Sequence, residues 1–329
     1  VAKRKARKRP RKRVGELGRA AAGPREWASP SYVRTNIVLV ASFVGIALLF
    51  RALAVPDTAE VFPLSMFFGP KIAWPGVPYA VVFAAGLWLP LRLKVSPVRV
   101  WLVGLALIVL GNLAQGGFHI GIVRPVYIWD RQYYNEAVRI GDWRVWLRSF
   151  TEVQDTLIAH AKTHPPFAVL LHYAIGGRAA IGVVFTILTS LTIPLLWKTL
   201  RAVGASPERA SLLALLFAVV PAVNIYGAVS LDAIVMLTSA VFLLGFVLLV
   251  GEERWSWPAF GLFAGGALVS NALNFGSILL FAVAALWAHR RRAVRNALGL
   301  TLAIGLVAYL IIRAGFGYDH LAAFANASR

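Results

Sequence analysis

The sequence predicts an all-α fold, a polytopic transmembrane helical bundle of about nine spans with a large outward-facing loop that contains juxtamembrane helices. Three observations predict it. Of 329 residues, 59% are hydrophobic and only 15% charged, with a mean hydropathy of +0.69. Apolar runs recur at the length that crosses a bilayer as a helix. Runs such as "NIVLVASFVGIALLF" and "SAVFLLGFVLLV" also lack two-residue alternation, which argues against an outer-membrane barrel and for helices that satisfy their own backbone bonds.

Residues 1–34 form a basic tail in which "KRKARKRPRKR" places nine Lys or Arg between residues 3 and 13. Much of the net charge of +20 gathers there, and beside a span it reads as a cytoplasmic anchor on anionic membrane lipid. A grip on nucleic-acid phosphates is the other use of such an arm; no nucleic acid is expected. The stretch is too long, and the first apolar segment starts too late, for a cleavable signal peptide. The chain has no cysteine, so disulfides, thiolate nucleophiles and Cys-metal sites are excluded.

The N-terminal membrane region, residues 35–116, is predicted to cross at 35–55, 74–91 and 98–116. A second region, residues 179–314, is predicted to cross at 179–198, 209–226, 229–250, 258–272, 275–288 and 297–314. Arg92, Lys94, Arg99, Lys198, Arg201, Arg209 and the "HRRRAVR" run at 289–295 then share one side with the tail. The positive-inside rule makes that side cytoplasmic and the protein an integral inner (plasma) membrane protein. Residues 117–178 fall on the outer side, with residues 315–329, whose "FANASR" ending just past an apolar segment reads as truncated.

Five of the fourteen acidic residues lie in the 117–178 loop: Asp130, Glu136, Asp142, Glu152 and Asp155. "DRQYYNEAVRI" reads as a short helix capped by Asp130 and closed by Gly141, and "TEVQ" at 151–154 as a capping box that opens another. "PPFAVLLHYAIGG" is too short to cross and is predicted to lie in the interface.

No GxxxxGK[ST] loop and no strand–glycine–helix unit is present, so a substrate must arrive from the membrane or from outside. Asp130, among interfacial aromatics, suits a general base acting on a hydroxyl acceptor, or simply a helix cap. Glu136, six residues on, faces elsewhere on a helix, and Asp142 suits a cap for "WRVWLRSF". His160 and His164 have metal-ligand spacing, but the proline after His164 disfavours a shared helical face and no third ligand is near. The Pro-Pro turn instead fixes His164 or Lys162 toward the interface, where either meets a phosphate. Polar residues in or near the spans are Asn224, Tyr226, Asp232, Asn271, Asn274 and Arg313; Asp232 suits a cap, and Arg313 suits snorkelling.

"DRQYYNEAVRIGDW", "THPPF", "LLWKTLRAVG", "PAVNIYGAVSLDAIVMLTSAVFLL" and "GALVSNALNFGSILLFAVAALW", in that order, resemble GT-C-type membrane glycosyltransferases, the group of protein O-mannosyltransferases and aminoarabinose transferases. The resemblance covers residues 125–290 and rests on order and spacing. It implies a polyprenyl-phosphate-linked sugar donor, an outward site and an inverting displacement, with Asp130 as the base. Tyr134 then falls among the substrate-binding residues, and Lys162, His164 and Arg178 are the groups nearest the departing phosphate. Some members use a divalent metal ion, so that is the one cofactor the resemblance admits. The family usually has one span before the acidic loop where three are predicted here, which keeps Asp57 in "VPDTAEVFPL" as a rival base. The alternative function is a transporter or lipid flippase without glycosyl transfer; a third reading is a noncatalytic scaffold.

Overall fold

The computed structural model describes residues 74–86, 96–128, 132–220, 222–227, 229–251 and 255–328, which all belong to one compact unit. Every regular element among them is helical. The helices are α1 (Val77–Gly86), α2 (Pro97–Leu113), α3 (Tyr133–Ala137), α4 (Trp143–Val153), α5 (Ala159–Lys162), α6 (Phe167–Ile175) and α7 (Arg178–Ala202). They continue as α8 (Pro207–Val219), α9 (Asp232–Gly251), α10 (Trp257–Leu273), α11 (Ile278–Ala288), α12 (Arg292–Phe316) and α13 (His320–Ala327). Asp57, Asp130, the 35–55 segment and the Tyr226 side chain lie outside the described residues.

Among the described residues three helices, α7, α9 and α12, are long and apolar enough to cross a membrane, with 25, 20 and 25 residues. At 1.5 Å per residue they measure about 38, 30 and 38 Å, against a hydrocarbon core of about 30 Å. The segments expected at 98–116, 258–272 and 275–288 form shorter apolar helices. The one expected at 209–226 is corrected: α8 stops at Val219 and Val220 is extended, with φ −66° and ψ 123°. Pro221 supplies the reason, because its ring clashes with an α-helical residue before it. A π-helical turn, Val223–Gly227, follows before α9 begins.

Short connections make successive long helices antiparallel, so their termini alternate between two ends of the bundle. The first residues of α7 and α9 and the last of α10 and α12 share one end, where α3 to α6 and α13 gather. Leu231, Ala233 and Leu273 pack there in one cluster with Tyr133, Ala168 and Phe185. A second cluster joins Leu147 and Phe150 of α4 to Phe275, Tyr318 and Ala323. Gln154 Nε2 donates to the Ala323 carbonyl at 3.0 Å and Asn326 Nδ2 to that of Thr151 at 3.3 Å. The C-terminal segment is thus built into the same layer as the 143–175 segment. At the opposite end stand Lys198, Arg201, Arg209, Arg290, Arg291, Arg292 and Arg295, where Trp197 Nε1 donates to Ser211 Oγ at 3.1 Å.

Helix starts within the layer follow capping chemistry. Asp142 caps α4 as expected, accepting from the backbone N–H groups of Arg144 at 2.7 Å and Val145 at 3.3 Å. "TEVQ" is corrected: Thr151–Val153 end α4, and Gln154–Thr156 form a 3₁₀ turn. The amphipathic face of α4 decides this, since Leu147 and Phe150 are buried in one continuous helix. Asp130 as cap and Gly141 as closing residue are corrected too. The residue before α3 is Gln132, and the helix closes at Val138 after five residues. Its turn ends when the Arg139 and Ile140 N–H groups bond back three residues to Glu136 and Ala137, at 3.0 and 3.2 Å.

Candidate functional site

The described site residues lie in the layer at the α7 and α9 N-termini. The Arg178 guanidinium is 4.2 Å from the Tyr127 ring centroid and 5.3 Å from that of Tyr134. Arg178 is the first residue of α7, and no acid sits in that first turn. The N-terminal peptide dipoles of a 25-residue helix add to its charge, which makes the spot attractive to an anion. The two tyrosine faces offset the cost of holding a cation there. Arg178 and Tyr134, both expected at the site, are therefore brought together.

His164 lies outside α5, which ends at Lys162, yet its neighbour His160 reaches the same place. The two rings lie 5.4 and 5.8 Å from the ring of Tyr133, and His172 meets that ring at 5.4 Å. Three imidazoles thus surround one buried phenol. Burial holds His164 below the usual histidine range, opposed by its bond to the His160 carbonyl and by the Asp232 carboxylate. Burial also pushes the Tyr133 hydroxyl up, with Asp232 adding to the effect. His164 Nδ1 is 3.1 Å from the His160 carbonyl oxygen, which only accepts. The ring proton therefore sits on Nδ1 and leaves Nε2 as an acceptor. In that tautomer, with Thr163 Oγ1 also 3.1 Å from Nδ1, Nε2 can take up a proton.

Lys162 is exposed; its N–H donates to the Ile158 carbonyl at 3.0 Å and its carbonyl accepts from Gln154 Nε2 at 2.8 Å. Glu136 is buried and pairs with Arg139 at 3.7 Å. Asp232 begins α9, and Ser230 Oγ donates to its Oδ2 at 3.0 Å. Arg313 binds Asp319 at 3.3 Å and Tyr309 Oη at 2.8 Å, a local ion pair on the layer. Asn271 Oδ1 accepts from His320 Nε2 at 3.2 Å, and Asn274 Oδ1 from the Gly276 N–H at 2.8 Å. Asn224 is buried, with Nδ2 on the Ala218 carbonyl and Oδ1 without a hydrogen-bond partner among the described residues. Among the described residues no group of three His, Cys, Asp or Glu is arranged to hold a metal ion.

Sequence reasoning passed over Tyr127, Tyr133 and His172. Tyr127 precedes the quoted motif, and His172 hides in an apolar run where it reads as core. A cavity of about 230 Å³, lined by Tyr134, Val138, His172, Tyr173 and others, opens beside them. No family model, no curated protein and no solved structure matches this chain.

Proposed function

We propose that the protein is a membrane glycosyltransferase that moves a sugar from a polyprenyl-phosphate donor to an acceptor hydroxyl. The site lies at the Arg178 end of the bundle, on the outer face of the plasma membrane, with the N-terminus cytoplasmic and residues 35–91 contributing further spans. One observation carries the reading: a cation stacked on Tyr127 and Tyr134 at the head of a membrane-length helix, within one layer with His164 and Asp232. A lipid-linked donor presents its phosphate at this level. An apolar groove lined by Val109, Phe118, Ile122, Val183 and Ile187 gives its tail a seat against α2 and α7. The motif order that resembles GT-C enzymes supports the same chemistry.

In this mechanism Asp130 takes the proton of the acceptor hydroxyl while the oxygen attacks the anomeric carbon from the face opposite the phosphate. The anomeric C–O bond breaks, the electron pair leaves with the phosphate, and the configuration inverts. Arg178 and Lys162 stabilise the developing dianion. His164, with Nε2 free to accept, is the second candidate base. Purified protein given polyprenyl-phosphate sugars and an acceptor extract tests the assignment. Asp130→Asn is expected to lose about 10² to 10⁴ of the transfer rate at normal expression. Undiminished transfer removes Asp130, and a larger loss in His164→Gln or Asp57→Asn moves the base there.

The buried Asn224 at the turn between α8 and α9, whose Oδ1 has no hydrogen-bond partner among the described residues, favours transport as a second reading, because a polar group left open among apolar helices can take a substrate or ion. Substrate uptake into vesicles with no sugar transfer from any lipid donor selects it.

A further inference from the structure

We propose that the cavity between α3 and α6 is a binding site for an uncharged, hydroxyl-bearing ring, the sugar of the glycosyl phosphate; this rests on the glycosyl-transfer reading and deepens it.

The argument begins with His172, which is 3% exposed and lines the cavity. Its Nδ1 is 2.7 Å from the Ala168 carbonyl oxygen, an atom that only accepts, so Nδ1 carries the proton. Nε2 is left as a lone-pair acceptor without a hydrogen-bond partner among the described residues. Burial keeps the ring neutral near pH 7, so the acceptor persists. Nε2 opens onto the cavity, so a ligand O–H entering there can donate to it.

The rest of the wall selects the ligand. Tyr134, Ala137, Val138, Ile140 and Tyr173 bring no ionised group, so a charged moiety meets nothing there to replace its water. Two tyrosine rings instead offer flat apolar faces with hydroxyl tips, which suits a ring with apolar faces and a polar rim. At about 230 Å³ the cavity has room for one such ring. Tyr134 also lies under the Arg178 guanidinium, 5.3 Å from its centroid. An uncharged pocket and a cation therefore share one side chain, the layout a glycosyl phosphate needs.

The test uses the full chain in lipid nanodiscs, with farnesyl phosphate and its glucose, mannose and arabinose esters as probes and tryptophan fluorescence as the binding readout. At least one ester is expected to bind about tenfold more tightly than farnesyl phosphate, the worth of one well-made buried hydrogen bond with its ring contacts. His172→Phe and Val138→Trp should each bring that ratio close to one, with farnesyl phosphate binding unchanged. Arg178→Ala should weaken every probe alike. Val138 is 61% exposed, so its variant carries the test should the His172 variant not fold. An ester preference that survives Val138→Trp overturns the assignment and leaves glycosyl transfer standing, as does a native protein that binds esters no better than farnesyl phosphate. Failure of the native protein to bind any probe removes both.

Discussion

His172 shows how surroundings set the chemistry of a single residue. Burial beside Tyr133 and Phe185 depresses its pKa from 6.5 to about 4, opposed by its bond to the Ala168 carbonyl. The unfolded chain then binds a proton more readily than the folded one between those two values. Stability is full above pH 6.5 and declines as pH falls toward 4. At 1.36 kcal/mol per pKa unit, the loss is about 3 kcal/mol. His164 and His320 are lowered by burial too, and their contributions carry the same sign. Asp319, held down by the Ala322 N–H, loses its contribution only below about pH 4. Melting temperature should therefore fall with pH from 7 to 4.5, and His172→Phe should flatten that slope; an equal slope in the variant shows that His172 stays neutral for no energetic reason. Asp142 was legible because a cap is a local rule. His172 was not, because its meaning comes from α3, which is close in space and forty residues away in sequence.

At the scale of elements, two adjacent glycines separate what composition shows from what packing decides. α9 and α10 form the most closely packed pair in the bundle. A Cβ on Gly266 would overlap the Phe242 backbone nitrogen and approach the Thr238 carbonyl at 2.7 Å, whereas one on Gly265 meets nothing within 4 Å. Gly265→Ala should raise stability by about 0.5 to 1 kcal/mol through helix propensity alone. Gly266→Ala gains the same propensity but forces the helices apart, for a net loss of about 1 to 3 kcal/mol. Thermal melting of the two variants in one detergent should give shifts of opposite sign; shifts of equal sign would mean the helix pair is not in this contact. "FAGGALV" gives the two glycines the same standing in sequence, and only the facing helix tells them apart. The helices themselves were legible wherever an apolar run exceeded about 18 residues, since length against bilayer thickness is decisive there. Short helices in the loop were read less well. Their ends depend on which side chains find a core, as when Tyr133, Glu136 and Ala137 are buried while Val138 is not.

For the whole molecule, what matters is that the Arg290–Arg295 run and the candidate site stand at opposite ends, although Arg139, Arg144, Arg148 and Lys162 carry charge at the site's end too. Lys198, Arg201, Arg209 and Arg290 to Arg295 cluster at one end, and Arg178, His164, His172 and Asp232 at the other, because consecutive long helices reverse direction. On the proposed topology, a bilayer crossed by those helices puts the two groups in different compartments, with the first in the cytoplasm as the positive-inside bias expects. The absence of cysteine makes this measurable, since a single introduced thiol is the only one in the chain. Glu152 and Arg291 are both exposed and stand at the two ends. In right-side-out vesicles, Glu152→Cys should react with a membrane-impermeant maleimide before the bilayer is opened, and Arg291→Cys only after. The reverse pattern would set the site facing the cytosol, where a donor on the outer leaflet never meets it, and equal labelling of both would mean that no bilayer separates the two ends. Because the proposed chemistry at Arg178 calls for a lipid-borne phosphate at the outer surface and the proposed cytoplasmic anchor calls for anionic lipid, one labelling experiment checks the orientation on which both proposals depend.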